Sequence, residues 1–508
     1  MTKTTPVAIA ADSPFTTQAG IQIAQQGGNA VDIAVAAALA ATLSEILMCS
    51  VGGSAFLMIH KPGQPPELID GADAMPSGHL KSDLNPAWEV HLPYGDGITV
   101  RAGQASVAVP GMLAALETAW QRGGSLPWAE IVAPALELAR NGCTLGLTTS
   151  RWLTLAGVDL FFPQQASRDC FFPNGSLVRE GELFQVPDMV QTLELIATEG
   201  AKALYHGDIA AAFVKEIGEN GGFVTRSDLA NYRAIVRQPL TLASQGFQLA
   251  LNPPPGVGGA ALGSLIQLLE LTTTPDATPA QRTLQQAEAM IAFWQLRSQD
   301  VNLNPEVLLA EETLRRHLSA VQSPNTTHIS VATASGELVA ITMSNGYGSG
   351  ITIPGTGIAC NNSLGEPELN PQGFLAAGVG ERMISNMAPT LAWHPDGRQL
   401  AIGSPGASRI TTAIAQMWTR YTAEGYSLAE AVRASRLHVE PKNGQWKVLC
   451  EPGIETNLLK TKREKLEIYP FENLDMFFGA IKIAGIDRAG KLEAVADSRR
   501  EGSVNIIP

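Results

Sequence analysis

The sequence predicts an α+β fold, and three textures along the chain predict it. Helical and extended segments alternate through the first third, the middle is mainly helical, and strands dominate the text that follows residue 326. At 508 residues the chain is long enough for two or three domains or for one large layered one. No flexible linker and no internal repeat divides it. The sharpest change of texture is the seam at Asn325–Thr326, between a charged, Leu-rich stretch (311–322) and a β-branched alternation.

Taken in order, residues 13–28 open on an N-cap serine, Ser13, keep helical periodicity and stop at the pair Gly27 and Gly28. Residues 30–49 are Ala-rich and apolar, but Asp32 and Glu45 interrupt them, so a buried helix is expected there and not a membrane span. Residues 54–73 read as strand, Pro/Gly turn, strand. Helices are expected over 189–200 and 208–222. Residues 239–270 read as strands, a Pro/Gly loop and a helix, residues 391–404 as strands, and residues 408–425 as a helix. The loop PGVGGAALG (255–263) has the strand-to-helix placement of a phosphate loop. It lacks the Lys-Ser/Thr ending and the downstream acidic residue, and it reads instead as a close-packed turn.

The segment HISVATASGELVAITMS (328–344) is a hairpin signal. With Ala334, Ser335 and Gly336 as a three-residue loop, Thr326 falls opposite Ser344; a two-residue loop would pair it with Asn345 instead. Either register gives Thr326 a polar neighbour within side-chain reach. A threonine hydroxyl needs a base to act as a nucleophile. Cleavage of the Asn325–Thr326 bond would supply one, because the new α-amino group, with an ordinary pKa near ~8, could take the hydroxyl proton.

Composition excludes several classes of function. Hydrophobic residues at 45% and charged residues at 16% describe a globular chain, not a disordered one. The net charge of −13, without a Lys/Arg block, argues against nucleic-acid binding. Five scattered cysteines with no CxxC fit free thiols in a reducing compartment. Eight scattered histidines offer no metal-ligand spacing, and neither a metal nor another cofactor is expected. The first residues carry no apolar core after Lys3, so a cytoplasmic protein with no membrane partner is expected.

Ten segments in order carry a resemblance to a known family. They are QGGNAVDIAVAAALA (26–40), SVGGSAF (50–56), ALYHGDIA (203–210), DLANYRAIVRQPL (228–240), NPPPGVGGA (252–260), TTHISV (326–331), GSGITIPGTGIACNN (348–362), SNMAPT (385–390), GSPGASRI (403–410) and DSRREGS (497–503). On these the chain resembles the γ-glutamyltransferase family of N-terminal nucleophile hydrolases. The resemblance implies a four-layer αββα sandwich. It also implies self-cleavage into a large part (1–325) and a small part (326–508) that remain together as a heterodimer forming one αββα unit.

Residue by residue, the resemblance makes Thr326 the nucleophile and Asn325 the residue before the cut. Ser344 matches an assisting threonine, and Gly406 and Ala407 match a Gly-Gly pair whose amides form an oxyanion hole. Asn345 and Glu366 match residues that hold the glutamyl amino group, and Ser385 with Asn386 matches a Ser-Ser pair near the α-carboxylate. The family's carboxylate-binding arginine matches Ala72, so a charge-assisted pair is lost there. The implied substrate is a small γ-glutamyl amide, glutathione or its conjugates, with water or an amine as acceptor. The competing expectations are an amidohydrolase of the same fold acting on another acyl group, such as a dicarboxylic monoacyl, and an unprocessed, non-catalytic relative.

Overall fold

The strand Thr326–Thr333 is buried on both faces, and each face has its own partner. Thr326, His328, Ser330 and Ala332 alternate with Thr327, Ile329 and Val331, as the two-residue period of a strand requires. Val7–Ala11 pairs with it on one side and Leu338–Ser344 on the other, both antiparallel. The computed structural model describes residues 4–78, 87–93, 97–274, 276–297, 325–370, 373–442, 444–462 and 466–508. The charged, Leu-rich stretch 311–322 lies outside the described residues.

Around this strand runs a seven-stranded antiparallel sheet. Its order is Ser503–Ile507, Val7–Ala11, Thr326–Thr333, Leu338–Ser344, Ser54–His60, Glu67–Gly71 and Ile235–Arg237. A second antiparallel sheet of six strands has the order Leu492–Ala496, Lys482–Ile486, Gln399–Gly403, Thr390–Trp393, Phe247–Leu251 and Leu240–Ser244. Between the sheets the facing side chains are mostly small, including Ala8, Ala250, Ala332, Ala340, Ala401 and Ala484, with Phe56, Met58 and Leu391 filling the gaps.

Each sheet's outer face is covered by helices. Ile329, Val331 and Ile341 pack under Ala30–Ser44, and Leu400 and Ile402 pack with Leu265, Ile414 and Trp418 of Gly258–Thr272 and Arg409–Thr422. The result is the helix–sheet–sheet–helix sandwich expected. The small part expected after cleavage contributes strands to both sheets, so the seam divides the chain without dividing the fold. All five cysteines are free thiols.

Ala30–Ser44 has no polar side, and all its residues are buried. Such a helix belongs inside a large core. Its start is fixed by a capping box in which Asn29 accepts from the Val31 and Asp32 amides and Asp32 reaches back to the Asn29 amide. It stops at Ser44, short of the expected Cys49, because Glu45 leaves helical geometry and turns its carboxylate into a buried polar cluster. Among the described residues no helix is long and apolar enough to cross a membrane.

The loop before Gly258–Thr272 is the close-packed turn expected. The Val257 and Gly258 amides donate to the Ser385 carbonyl at 2.8 and 3.2 Å. A Cβ on Gly258 would lie 2.1 Å from the Asn386 carbonyl oxygen, closer than any side chain could be accommodated. The glycines therefore let this loop brace the Ser385–Asn386 segment. Gly258→Ala is expected to lower stability by about 2 kcal/mol through overpacking, as a shift in the urea midpoint would show. Because Asn386 must move, catalytic activity should fall with it.

Candidate active site

The seam peptide is gripped on both sides. Ser344 Oγ donates to the Asn325 carbonyl at 2.6 Å and itself accepts from the Gly346 amide at 3.1 Å. Arg500 Nη1 donates to the Thr326 carbonyl at 2.7 Å. The ladder pairs Thr326 directly with Ser344, and the turn is the three-residue one, with Gly336 at φ +89°. The alternative pairing with Asn345 does not occur.

Beneath the seam lies a buried cluster of charges. Thr327 donates to Glu45 and, at 3.2 Å, to Asp12 Oδ2. Asp12 pairs with Lys482 and lies 3.5 Å from Arg500. Thr16 Oγ1 and the Ser13 amide donate to Glu45 Oε1 at 2.6 and 3.1 Å. Burial, and then the neighbouring Asp12, push the Glu45 carboxyl up to about 7. This cluster fixes Thr327 and, through Arg500, the first peptide of the strand.

His328 takes no part in this cluster. It lies between the sheets, with Nδ1 2.8 Å from Thr342 Oγ1 and Nε2 3.0 Å from Ser330 Oγ. Burial holds its pKa well below the ordinary value, so the ring is neutral and structural. Gly403 exists to pass it, since a Cβ there would lie 2.1 Å from His328 Cε1.

Thr326 and Ser344 line a cavity at the end of the inter-sheet layer, together with Ser54, Ala72, Asp73, Ser385, Asn386 and Ala407. Ala407 has φ +60° and Gly406 φ +120°. Ala407 thus takes the left-handed conformation open to a glycine, at some steric cost. Among the described residues neither amide donates to a protein acceptor. Two adjacent, unspent amides beside a threonine hydroxyl have the chemistry to stabilise an oxyanion.

Two of the expected substrate residues stand back from this cavity. Asn345 Nδ2 donates to the Cys360 carbonyl at 3.2 Å, and Glu366 Oε1 accepts from the Tyr347 amide at 3.2 Å. Both are fully buried behind Gly346, which forms the wall. The reason is local: residues 345–348 turn sharply, with positive φ at Gly346 and Gly348, and the buried amide at Tyr347 needs acceptors. Ser385 is on the wall, but its Oγ accepts from the Met387 amide at 3.2 Å.

Sequence reasoning missed Asp73 and the role of Arg500. Arg500 stood inside the quoted DSRREGS, with nothing in the linear order to bring it to Thr326. Asp73 sits one residue past Ala72, lines the cavity and is 2% exposed. Ser363 Oγ donates to its Oδ2 at 2.6 Å, while Oδ1 is buried without a hydrogen bond. Arg382 is close in space to the lost arginine's position, but it donates to the Ala72 carbonyl at 3.0 Å and lies over the Tyr232 ring. Among the described residues that line the cavity there is no lysine or arginine.

Two outcomes follow from these contacts. Ser344→Ala removes the donor to the Asn325 carbonyl and should slow cleavage at the seam by about 100-fold, whereas Ser344→Thr should preserve it. A time course of intact masses measures both. Burial pushes the Asp73 carboxyl from an ordinary 3.8 up to about 7, against the smaller pull of Ser363, Arg382 and the Gly111 amide. The folded chain therefore holds this proton more tightly than the unfolded one, and stability falls as pH rises across that window. Asp73→Asn should raise Tm at pH 8 and change it little near pH 4.

Comparisons with known proteins show which family the chain belongs to. The family model described as Gamma-glutamyltranspeptidase matches residues 16–507. The chain is 26% identical to the glutathione hydrolase proenzyme of Bacillus subtilis (strain 168), over 97% of this chain and 90% of that protein. It is 30% identical to the acylase ACY 1 proenzyme of Pseudomonas sp. (strain V22), over 85% of this chain and 82% of that one. Among solved structures it resembles the cephalosporin acylase from Bacillus halodurans, with a TM-score of 0.83 at 25% identity, covering 99% of this chain and 96% of that one. The full-length match, the αββα layers and the threonine at the seam make this chain an enzyme of the gamma-glutamyltranspeptidase family.

Proposed function

We propose that the chain cuts itself between Asn325 and Thr326 and then transfers acyl groups through Thr326. The observation that carries this reading is the Ser344 hydroxyl bonded to the Asn325 carbonyl at 2.6 Å, with Thr326 on the cavity wall. In the cut, Thr326 Oγ attacks the Asn325 carbonyl carbon and the peptide nitrogen leaves, giving an ester. Water hydrolyses that ester, so residue 325 ends in a carboxylate and Thr326 in a free amine. Residues 1–325 and 326–508 are then the large and small subunits of one sandwich.

In turnover, the new α-amine takes the proton of the Thr326 hydroxyl as Oγ bonds to the substrate's amide carbon. The Gly406 and Ala407 amides receive the oxyanion. The substrate amine departs with the proton held by the α-ammonium. Water or an acceptor amine then attacks the ester and restores Thr326.

The first reading of the acyl group is γ-glutamyl, with glutathione and its conjugates as substrates; membership of the family supports it. A second reading is favoured by the absence of lysine and arginine from the cavity lining and the presence of Asp73: an aminoacyl group without an α-carboxylate. An unpaired carboxylate beside Asp73 would be desolvated and repelled.

Purified protein should contain two fragments, the smaller beginning Thr-Thr-His. Thr326→Ala should stay at full length and turn over no amide. Turnover retained in that variant would refute the role of Thr326.

A further inference from the structure

We propose that Asp73 determines acyl specificity by receiving a protonated amine of the acyl group, which selects aminoacyl amides over dicarboxylic monoacyl amides. The inference rests on the acyl-enzyme reading of Thr326. It also assigns a substrate contact to a residue that the sequence resemblance left without a role.

Three observations converge. First, Asp73 shares the cavity wall with Thr326, Ser344 and Ala407, so a group bound to it lies in the same cavity as the carbonyl under attack. Second, its carboxylate is half satisfied. Ser363 holds Oδ2 at 2.6 Å and so fixes the side chain, while Oδ1 is buried with no donor. A buried acceptor without a partner is costly to retain, and a carboxylate costs more than an amide because burial opposes its charge. Third, the expected amine site does not line the cavity: Glu366 accepts from Tyr347 behind the Gly346 wall, and Asn345 Nδ2 donates to Cys360. Asp73 is the carboxylate on the cavity side of that wall.

The neighbouring groups agree in sign. Arg382, whose charge acts on Asp73, directs its guanidinium at the carbonyls of Ala72 and Arg233. It attenuates the charge of Asp73 without replacing the missing partner on Oδ1. A ligand ammonium would complete the pair and offset the burial of both charges. A ligand carboxylate at the same place would face Asp73 with no cavity-lining cation to compensate.

The test compares p-nitroanilides that differ only at the distal end of the acyl chain: γ-aminobutyryl, with an amine alone; glutaryl, with a carboxylate alone; and γ-glutamyl, with both. In the wild-type processed enzyme kcat/KM should be highest for γ-aminobutyryl and lowest for glutaryl. Asp73→Asn keeps the shape and the Ser363 contact, and it should collapse the γ-aminobutyryl-to-glutaryl ratio by at least about 10-fold, the scale of a charge-assisted hydrogen bond. Ala72→Arg should move preference toward glutaryl.

An unchanged ratio in a well-folded Asp73→Asn enzyme overturns the inference while leaving Thr326 as nucleophile. Binding gives a readout independent of turnover. γ-Aminobutyramide, but not glutaric monoamide, should raise the Tm of the wild type and not that of Asp73→Asn. Selective binding without turnover of any anilide would support Asp73 and count against Thr326. Absence of both selective binding and selective turnover overturns the inference.

Discussion

The peptide at the seam is held by two hydrogen bonds of opposite origin, and the rest of the site is arranged around them. Ser344 reaches the carbonyl before the bond from the neighbouring strand, and Arg500 reaches the carbonyl after it from the far end of the chain. Neither contact is possible unless Thr326–Thr333 lies between Val7–Ala11 and Leu338–Ser344 in its observed register. A shift of one residue would turn Thr326 toward the Ala-rich helix and Thr327 toward the cavity. The buried cluster of Asp12, Glu45, Lys482 and Arg500 resists that shift, because Thr327 is already bonded on the helix side. Charges in the core thus specify a position, one of the better-attested uses of buried polar groups.

Much of this was legible in the sequence, for physical reasons that differ by element. The hairpin could be counted because strand pairing is arithmetic once the turn is known, and the turn announced itself through Ala334-Ser335-Gly336. The helix at 30–49 was legible from its lack of a polar face, although its end was misplaced. Glu45 looks like a tolerable helix residue until Thr16 and Thr327, distant in sequence, claim its carboxylate. The glycine loop was legible as a close-packed turn, but what it braces was invisible without the strand order of the second sheet.

The substrate end of the cavity was less legible. A resemblance transfers residue types without their placement, and Asn345 and Glu366 lie behind the Gly346 wall and not on the cavity lining. The loss at Ala72 was visible as an absence. Next to it Asp73 carries the opposite charge, and only the folded chain shows that this carboxylate lines the cavity and is held by Ser363.

The central place of Thr326–Thr333 in its sheet has a consequence for the lifetime of the molecule. A cut at the seam leaves every rung of the ladder on both sides intact, so the sandwich persists. The information needed to rebuild it is nonetheless divided between two chains, each contributing strands to both sheets. Unfolding then ceases to be the reverse of a single-chain reaction: recovery becomes a bimolecular search between aggregation-prone pieces. The mature protein would endure by the height of its unfolding barrier rather than by a reversible equilibrium. Self-cleavage would then be a one-way step in its folding history as well as the origin of its base.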